Sequence, residues 1–182
     1  MRILLTGTSG DIGRAVFNAA SARGDEIVEI NRGEFDKPLK GPFEAVVFMT
    51  GYCSVTPLTR TTPEILNEMF SVNCGLFVEL VRRLVCERLY APTGMRIVAI
   101  SSISAREGWP GGAAYCASKG ALSAVCRALS AELAPRAIRV EALEPRYVRT
   151  KMFAAAAGRM GVPAEAAQAV DDFAQEVLKH VS

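Results

Sequence analysis

Two side chains that can transfer and tune a proton, Tyr115 and Lys119, are four residues apart in a segment with helical spacing of apolar residues. Positions i and i+4 share one face of a helix. A lysine ammonium beside a phenol favours the phenolate and lowers the phenol pKa, which suits the phenol to general acid–base catalysis. A second hydroxyl, Ser102, ends an apolar run and is placed to bind a substrate carbonyl. Taken alone, such a pair is more often a packed ring and a solvated lysine; together with Ser102 and a glycine-rich turn it favours catalysis.

The glycine-rich turn lies near the start of the chain, where Gly7, Gly10 and Gly13 separate an apolar run from an amphipathic helix. A helix N-terminus offers free N–H donors and a positive dipole end, and glycines allow a phosphate to approach the backbone. The context predicts binding of a dinucleotide pyrophosphate. A plain glycine-rich turn between strand and helix is the alternative for this motif alone.

The end of the second apolar run bears on the choice of cofactor. An acidic residue there would bind an adenosine ribose and repel a 2′-phosphate, but the residues present are Asn31 and Arg32. Arg32 is suited to bind a 2′-phosphate through charge-assisted hydrogen bonds. The sequence therefore favours NADP over NAD, with NAD still possible and a solvated loop arginine as the alternative for Arg32.

The positions of these groups depend on an alternation of short apolar strands with helices. The predicted strands are 3–6, 26–30, 45–49, 96–101 and 138–143, and the predicted helices are 14–23, 63–90, 112–133 and 164–181. This pattern predicts a single α/β domain, 1–182, built on a Rossmann-type, doubly wound parallel sheet. In such sheets ligands bind beyond the carboxyl ends of the strands, where Ser102 is expected.

Composition excludes several other classes of protein. Of 182 residues, 50% are hydrophobic and 22% are charged, and the net charge of +2 comes from 21 basic and 19 acidic side chains, so no nucleic-acid partner is expected. Five cysteines without a C-x-x-C pair and a single histidine predict reduced thiols and no metal site. The first apolar run is too short for a signal peptide or a membrane span, so a cytoplasmic protein with no membrane partner is expected.

Five motifs in order resemble those of the short-chain dehydrogenase/reductase superfamily. They are the turn 6–13, Asn73 within 71–75, Ser102 within 101–105, the Tyr115-x-x-x-Lys119 pair, and the Pro145 loop 144–150. The similarity extends from Met1 to about Met152. It implies an NAD(P)-dependent oxidoreductase that transfers a hydride between the cofactor and a small carbonyl or alcohol substrate.

The resemblance also implies a role for each matching residue. Tyr115 would transfer the proton, Lys119 would lower the tyrosine pKa and hold the nicotinamide ribose, Ser102 would orient the carbonyl, and Asn73 would support a water that relays protons to Lys119. The residues expected to contact the cofactor are Gly7, Ser9, Gly10, Asp11, Ile12, Gly13, Asn31, Arg32, Thr50, Gly51, Tyr115, Lys119, Pro145, Val148 and Thr150.

The chain departs from the family pattern at several places. Asp11 stands where the second glycine is usual, Thr50-Gly51 belongs to a segment that is usually N-N-A-G, and Arg146 replaces the glycine after Pro145. Arg146 would either narrow the pocket or bind an acidic substrate. Fewer than twenty residues separate the second and third predicted strands, so the family's usual third strand does not fit, and its usual last strand is not expected either.

These departures leave alternatives to a simple reductase. A non-catalytic or weakly active NAD(P)-binding regulatory protein is the second hypothesis, and an epimerase or dehydratase the third. The long central helices would form a homodimer. The segment 151–161 is expected to be a lid, and its residues Met152, Phe153 and Met160 suggest a small or apolar substrate, with Trp109 and Pro110 as further candidates for the pocket wall.

Overall fold

The computed structural model describes all 182 residues and has one parallel sheet of five strands. The strands are β1 (Arg2–Thr6), β2 (Glu26–Ile30), β3 (Ala45–Phe48), β4 (Met95–Ile100) and β5 (Ile138–Leu143), and their order across the sheet is β2-β1-β3-β4-β5. Because the strands are parallel and in register, their carboxyl ends meet at one edge of the sheet.

Helices cover both faces of the sheet. They are α1 (Asp11–Ala22), α2 (Pro63–Phe70), α3 (Leu76–Cys86), α4 (Ala113–Leu133), α5 (Lys151–Met160) and α6 (Val170–His180). One core cluster joins α1 and α6 to the sheet, and the other joins α3 and α4 to its opposite face. The central strands are therefore apolar on both faces, which explains their continuous hydrophobic runs. The predicted doubly wound α/β fold is confirmed.

The long loop after β2 covers part of the sheet where the family pattern would place a further strand. Phe35 and Leu39 from this loop are buried in the core, and the Phe35 ring packs edge-on against Phe48 at 6.3 Å between centroids. The Arg83 guanidinium donates to the carbonyl oxygens of Phe35 and Lys37. This loop, with two buried apolar side chains, thus closes this side of the core, and β2 remains an edge strand.

The predicted helix 63–90 is interrupted, which corrects the sequence-based boundaries. A π-helical turn, Ser71–Gly75, separates α2 from α3, and α3 ends at Cys86. Arg88 then adopts a left-handed backbone conformation with φ of 54°. Apolar spacing continues through the π turn, so it did not reveal the extra residue in the helical repeat.

The predicted helix 164–181 is also shorter than expected. A 3-10 turn spans Ala164–Ala166, and α6 begins only at Val170. Between them the Gln168 amide donates to the Tyr147 carbonyl, and the Arg149 amide donates to the Gln168 carbonyl. This pairing holds the backbone extended, because both hydrogen bonds require it to run beside the loop that follows β5. None of the helices is long and apolar enough to span a membrane.

Candidate active site

A cavity of about 130 Å³ lies at the carboxyl edge of the sheet and is lined by Ser102, Tyr115 and Lys119. Ser102 is the second residue after β4, and the other two residues lie on the first turns of α4. Helix α4 packs against β5 and against the 3-10 turn after Ser102, which holds the three side chains together. The sequence predicted that these residues meet, and they do.

Lys119 is almost completely buried and its ammonium is held by the strand beside it. Its Nζ donates to the Ile100 carbonyl oxygen at 2.8 Å. Burial lowers the pKa of Lys119 to about 8, because the charged form loses hydration. An ammonium has three donors, so two remain for other groups. A side-chain carbon built on Gly51 would lie 3.7 Å from Nζ, which shows how closely this loop backbone approaches the ammonium.

Tyr115 differs from the sequence-based expectation in its ionisation. Burial raises the pKa of Tyr115 above its ordinary value, and an interaction with the Ser102 hydroxyl acts in the opposite direction but does not offset it. The Lys119 Nζ lies 5.8 Å from the centroid of the tyrosine ring. The pKa of Tyr115 is therefore raised rather than lowered in the protein alone, since desolvation of the phenolate dominates, and a lowering by Lys119 stays a prediction.

Asn73 lies in the π turn and is fully buried. Its Nδ2 donates to the Tyr52 carbonyl oxygen and to the Ser118 hydroxyl, both at 2.8 Å, and its Oδ1 accepts from the Tyr52 amide at 2.7 Å. The Ser118 hydroxyl in turn donates to the Tyr115 carbonyl oxygen. The Asn73 side chain therefore joins the loop after β3 to the helix that carries Tyr115 and Lys119. Its predicted support of a water remains a prediction.

Thr50 joins the ends of two central strands. The Thr6 hydroxyl, at the end of β1, accepts hydrogen bonds from the amides of Met49 and Thr50 and from the Thr50 hydroxyl at 3.0, 3.2 and 2.9 Å. Thr6 and Thr50 are both buried. This network supports the strand ends in a segment that departs from the family pattern.

The glycine-rich turn has the geometry of an anion site. Gly7 has φ of 69° and lies against the backbone of Thr50, and a side chain on Gly13 would meet the Gly7 carbonyl oxygen at 2.1 Å, so both positions require glycine. The amides of Asp11, Ile12 and Gly13 at the start of α1 donate no hydrogen bond within the protein. These free donors and the helix dipole suit a pyrophosphate.

The predicted adenine-side residues have partners within the protein. The Asn31 Oδ1 accepts from the Ser9 amide at 3.3 Å, so Asn31 holds the glycine turn. The Arg32 Nη2 lies 2.8 Å from a carboxylate oxygen of Glu68 on α2, and its guanidinium lies 5.6 Å from the centroid of the Tyr52 ring. Arg32 also lines the groove beside the glycine turn, where the predicted dinucleotide would lie.

Helix α5 covers the cavity as the predicted lid. Thr150 caps its N-terminus by accepting from the Phe153 amide, and the Asp11 carboxylate accepts from the Lys151 amide at 2.7 Å. Met152, Phe153, Ala156 and Met160 face the cavity. Asp11 therefore ties the glycine turn to the lid, a contact that sequence spacing alone did not indicate.

The loop after β5 forms another part of the cavity wall. The Pro145 carbonyl oxygen accepts from the Ile103 amide at 2.9 Å, and the side chains of Pro145, Arg146 and Val148 all line the cavity. Trp109 lines it too, and its indole donates to the Ser104 hydroxyl at 3.1 Å. Pro110, the other candidate for this wall, is not among the residues that line the cavity.

Cys53 is one of the cavity residues that sequence reasoning missed. Cys53 follows β3 and lines the cavity with Tyr115 and Lys119. Burial raises the pKa of its thiol to about 11, and the charge of Lys119 acts in the opposite direction. Its place in the loop after a central strand was the available signal, since such loops form the ligand edge of parallel sheets.

The cavity and the groove are adjacent and share lining residues, and a dinucleotide fits this arrangement. Ile12, Met49, Gly51, Thr150 and Met152 line both. The free amides of α1 lie at the groove, and the buried ammonium of Lys119 lies at the cavity. An elongated ligand with phosphates at its centre and a reactive ring at one end matches the order in which these groups lie along the groove and the cavity.

Comparison with known proteins decides the family. The protein-family model described as enoyl-(acyl carrier protein) reductase matches residues 33–172 of the chain. The chain belongs to the short-chain dehydrogenase/reductase superfamily. This confirms the resemblance drawn from the five motifs, and with it the class of NAD(P)-dependent oxidoreductases.

Individual members of this superfamily are similar over most of the chain. An L-xylulose reductase from Bos taurus is 27% identical over 85% of this chain and 75% of its own length, and carbonyl reductase [NADPH] 2 from Sus scrofa is 25% identical over 84% and 73%. Among solved structures, a short-chain dehydrogenase/reductase described as glucose/ribitol dehydrogenase from Brucella melitensis superposes with a TM-score of 0.84 at 22% identity, covering 100% of this chain and 89% of its own.

Proposed function

We propose that the protein transfers a hydride between NADP and a small carbonyl or alcohol substrate, with Tyr115 as the proton-transferring residue. The observation that carries this proposal is the arrangement of Ser102, Tyr115 and the buried Lys119 around one cavity that shares lining residues with the groove at the glycine turn. The name of the similar carbonyl reductase, which specifies NADPH, supports the same cofactor.

The cofactor, when bound, supplies the hydride. The free amides of Asp11, Ile12 and Gly13 would bind its pyrophosphate, because they are unpaired donors at a positive helix end. Arg32 would bind a 2′-phosphate in exchange for Glu68. The remaining donors of Lys119 would bind the nicotinamide ribose beside Gly51. The loop of Pro145, Val148 and Thr150 would flank the nicotinamide end of the groove.

The protein's own part in the chemistry is the movement of one proton. The Ser102 hydroxyl would donate to the substrate carbonyl oxygen, and the Tyr115 hydroxyl would donate its proton to the same oxygen as negative charge develops there. Because burial raises the tyrosine pKa, the phenol holds its proton at neutral pH. The site in this form is prepared for carbonyl reduction. In alcohol oxidation the same phenol must first lose its proton, which added positive charge from a bound cofactor would favour.

A purely regulatory, non-catalytic protein is the less favoured alternative. It was motivated by the substitutions at Thr50 and Arg146 and by the shortened sheet. Thr50 makes the strand-end hydrogen bonds described above, and the loop carrying Phe35 closes the core. The departures at Thr50 and in the sheet are thus accommodated without loss of a residue at the proton-transfer site.

The proposal is tested with NADPH and a panel of small aldehydes and ketones. We expect NADPH binding by fluorescence or calorimetry and oxidation of NADPH that disappears in Tyr115→Phe, with the affinity for NADPH kept. Absence of nicotinamide-cofactor binding in the unmutated protein would refute the proposal. Binding without turnover of any carbonyl would favour the regulatory alternative.

We further propose that the protein forms a homodimer through its central helices. Leu66 and Phe70, four residues apart on α2, are 37% and 36% exposed, and Val78 on α3 is 40% exposed. An apolar stripe of this kind suits helix packing between two copies. Light scattering after gel filtration should show a dimer that dissociates in Phe70→Glu; a monomer at all concentrations would contradict this.

We also propose a reducing, cytoplasmic environment. The support is that all five cysteines are free thiols in the structure. Cell fractionation combined with thiol labelling before and after reduction tests this. We expect the protein in the cytoplasmic fraction with equal labelling in both states, and recovery from an exported fraction would contradict it.

A further inference from the structure

The charged side chains that line the cavity are all positive. Arg146 and Lys119 are the only ionised side chains among the residues that line it, and no carboxylate is present there. Lys119 is buried beside the nicotinamide end of the groove, whereas the Arg146 side chain is 66% exposed. A concave surface with positive charge and apolar walls attracts anions. The cavity therefore favours a substrate with negative charge.

The backbone that precedes Arg146 is tied to the segment of Ser102. The preceding residue, Pro145, accepts a hydrogen bond from Ile103, which is adjacent to Ser102. The loop that carries Arg146 is thus tied to the segment that carries the carbonyl-binding hydroxyl. A guanidinium at this position can bind one end of a short molecule whose other end lies at Ser102 and Tyr115.

The guanidinium already binds a carboxylate from the protein. The Arg146 Nη2 lies 3.1 Å from the Glu107 Oε1, and the Glu107 side chain is 48% exposed. A guanidinium has five donors arranged for two-point binding of a carboxylate, and this ion pair uses one of them. Glu107 marks where a carboxylate fits against Arg146, and its exposure allows exchange with a ligand.

We propose that Arg146 recognises a carboxylate on the substrate, so that the substrate class is a short oxo acid or the corresponding hydroxy acid. This inference rests on the proposed function, because it assigns the other end of that same substrate. Glu107 holds Arg146 when no substrate is bound and competes with the substrate carboxylate. Arg146 is thereby a specificity-determining residue, and Glu107 sets its availability.

A second ion pair between the same two loops provides a matched control. Arg106 and Glu144 lie 2.5 Å apart, adjacent in sequence to Glu107 and close to Arg146. Neither residue of this second pair lines the cavity. Breaking it disturbs the same loop contact without changing the charge at the substrate.

The experiment measures kcat/KM with NADPH for short oxo acids of increasing length, each against its uncharged methyl ester. We expect at least one acid to be preferred over its ester by about tenfold, as for one charge-assisted contact in a partly exposed site. Arg146→Gly should abolish the preference through KM, and Arg146→Lys should keep part of it. Glu107→Gln should lower KM for the acid and leave the ester unchanged, and Arg106→Gln should leave the acid-to-ester ratio unchanged.

The possible failures are distinguishable. Turnover of esters with no preference for any acid, or a preference that survives Arg146→Gly, overturns the inference and leaves the proposed function intact. Turnover of neither acids nor esters by a protein that reduces another small aldehyde or ketone also overturns the inference alone, whereas no turnover of any carbonyl in either panel overturns the proposed function itself. Equal loss of the preference in Arg146→Gly and Arg106→Gln also overturns the inference, because it assigns the effect to loop geometry. The affinity of each variant for NADPH, which should be unchanged, shows that the variant is folded.

Discussion

The catalytic end of the groove and its adenine end are built differently. At the catalytic end Asn73, Ser118 and Lys119 are buried, and each makes hydrogen bonds that cross between elements. At the adenine end Arg32 and Glu68 form a single ion pair whose side chains are 54% and 46% exposed. An exposed pair contributes little to stability, whereas removing a member of a buried network leaves unpaired polar groups. Substitutions in the buried network should therefore change both activity and stability, whereas substitutions of the exposed pair should change cofactor binding with little effect on stability.

The largest effect should follow removal of the proton-transferring hydroxyl. Tyr115→Phe keeps the ring and deletes the donor, and we expect kcat for carbonyl reduction to fall by about 10²–10⁴-fold, the range for one general acid. Steady-state kinetics with NADPH measures this. The control is the free energy of unfolding, which should change little. A variant that keeps its turnover would remove Tyr115 from the mechanism.

The next largest effect concerns the buried network. Asn73→Ala removes three hydrogen bonds and leaves partners on Tyr52 and Ser118 unsatisfied. We expect a loss of about 2–4 kcal/mol in the free energy of unfolding, measured by urea denaturation. Asn67→Ala, on the exposed side of α2, is the matched control and should cost about 0.5 kcal/mol or less. Equal effects of the two variants would contradict the expected effect of the buried network on stability.

A smaller effect should appear in the dependence of stability on pH. The folded pKa of Lys119, about 8, lies below its ordinary value of 10.5, so between these values the unfolded chain binds the extra proton. Stability from this group therefore rises with pH across that window. Relative to Lys119→Met, the free energy of unfolding of the unmutated protein should rise by about 1 kcal/mol between pH 8 and pH 9.

The comparison with Lys119→Met subtracts most of the contribution of Cys53, Cys126 and Tyr115, because burial is the main cause of their pKa shifts and the charge of Lys119 is a smaller one at the two thiols. Their pKa values are raised, so their contributions to stability fall at higher pH in both proteins. Urea denaturation at each pH provides the values. A difference between the two proteins that stays constant or narrows with pH would show that Lys119 is not desolvated as the structure indicates.

The smallest effect is expected at the adenine end. Arg32→Ala should weaken NADPH binding by about tenfold and leave NADH binding and stability nearly unchanged, because one exposed charge contact is lost. Glu68→Gln releases Arg32 and should tighten NADPH binding a few-fold. Fluorescence titration with both cofactors measures this. Equal weakening of NADPH and NADH in Arg32→Ala would contradict a role in binding the 2′-phosphate.

Sequence patterns predicted the sheet well because each strand is an apolar run buried on both faces. The boundaries of β2 and β5 agree with the predicted 26–30 and 138–143. The helices were predicted less well where tertiary contacts decide their ends. The extended segment at Gln168 is held by the backbone of Tyr147 and Arg149, which no local pattern encodes.

The site shows the same division between local and tertiary signals. Ser102, Tyr115 and Lys119 were predictable because a strand end and an i, i+4 spacing place them. The direction of the Tyr115 pKa shift was not, because it depends on how much solvent the fold removes from the phenol. The bond from the Lys151 amide to Asp11 joins positions far apart in sequence, and the pairing of Arg146 with Glu107 depends on two loops meeting.

The most direct test of hydride transfer follows the hydrogen itself. NADPH carrying deuterium at both C4 positions of the nicotinamide ring is incubated with the protein and a carbonyl that it reduces, and the alcohol is examined by mass spectrometry and NMR. We predict deuterium on the carbinol carbon from the labelled cofactor. With unlabelled NADPH in deuterated water we predict no deuterium on that carbon, because Tyr115 delivers the solvent-exchangeable proton to oxygen. Carbon-bound deuterium from the solvent, or none from the cofactor, would contradict the account.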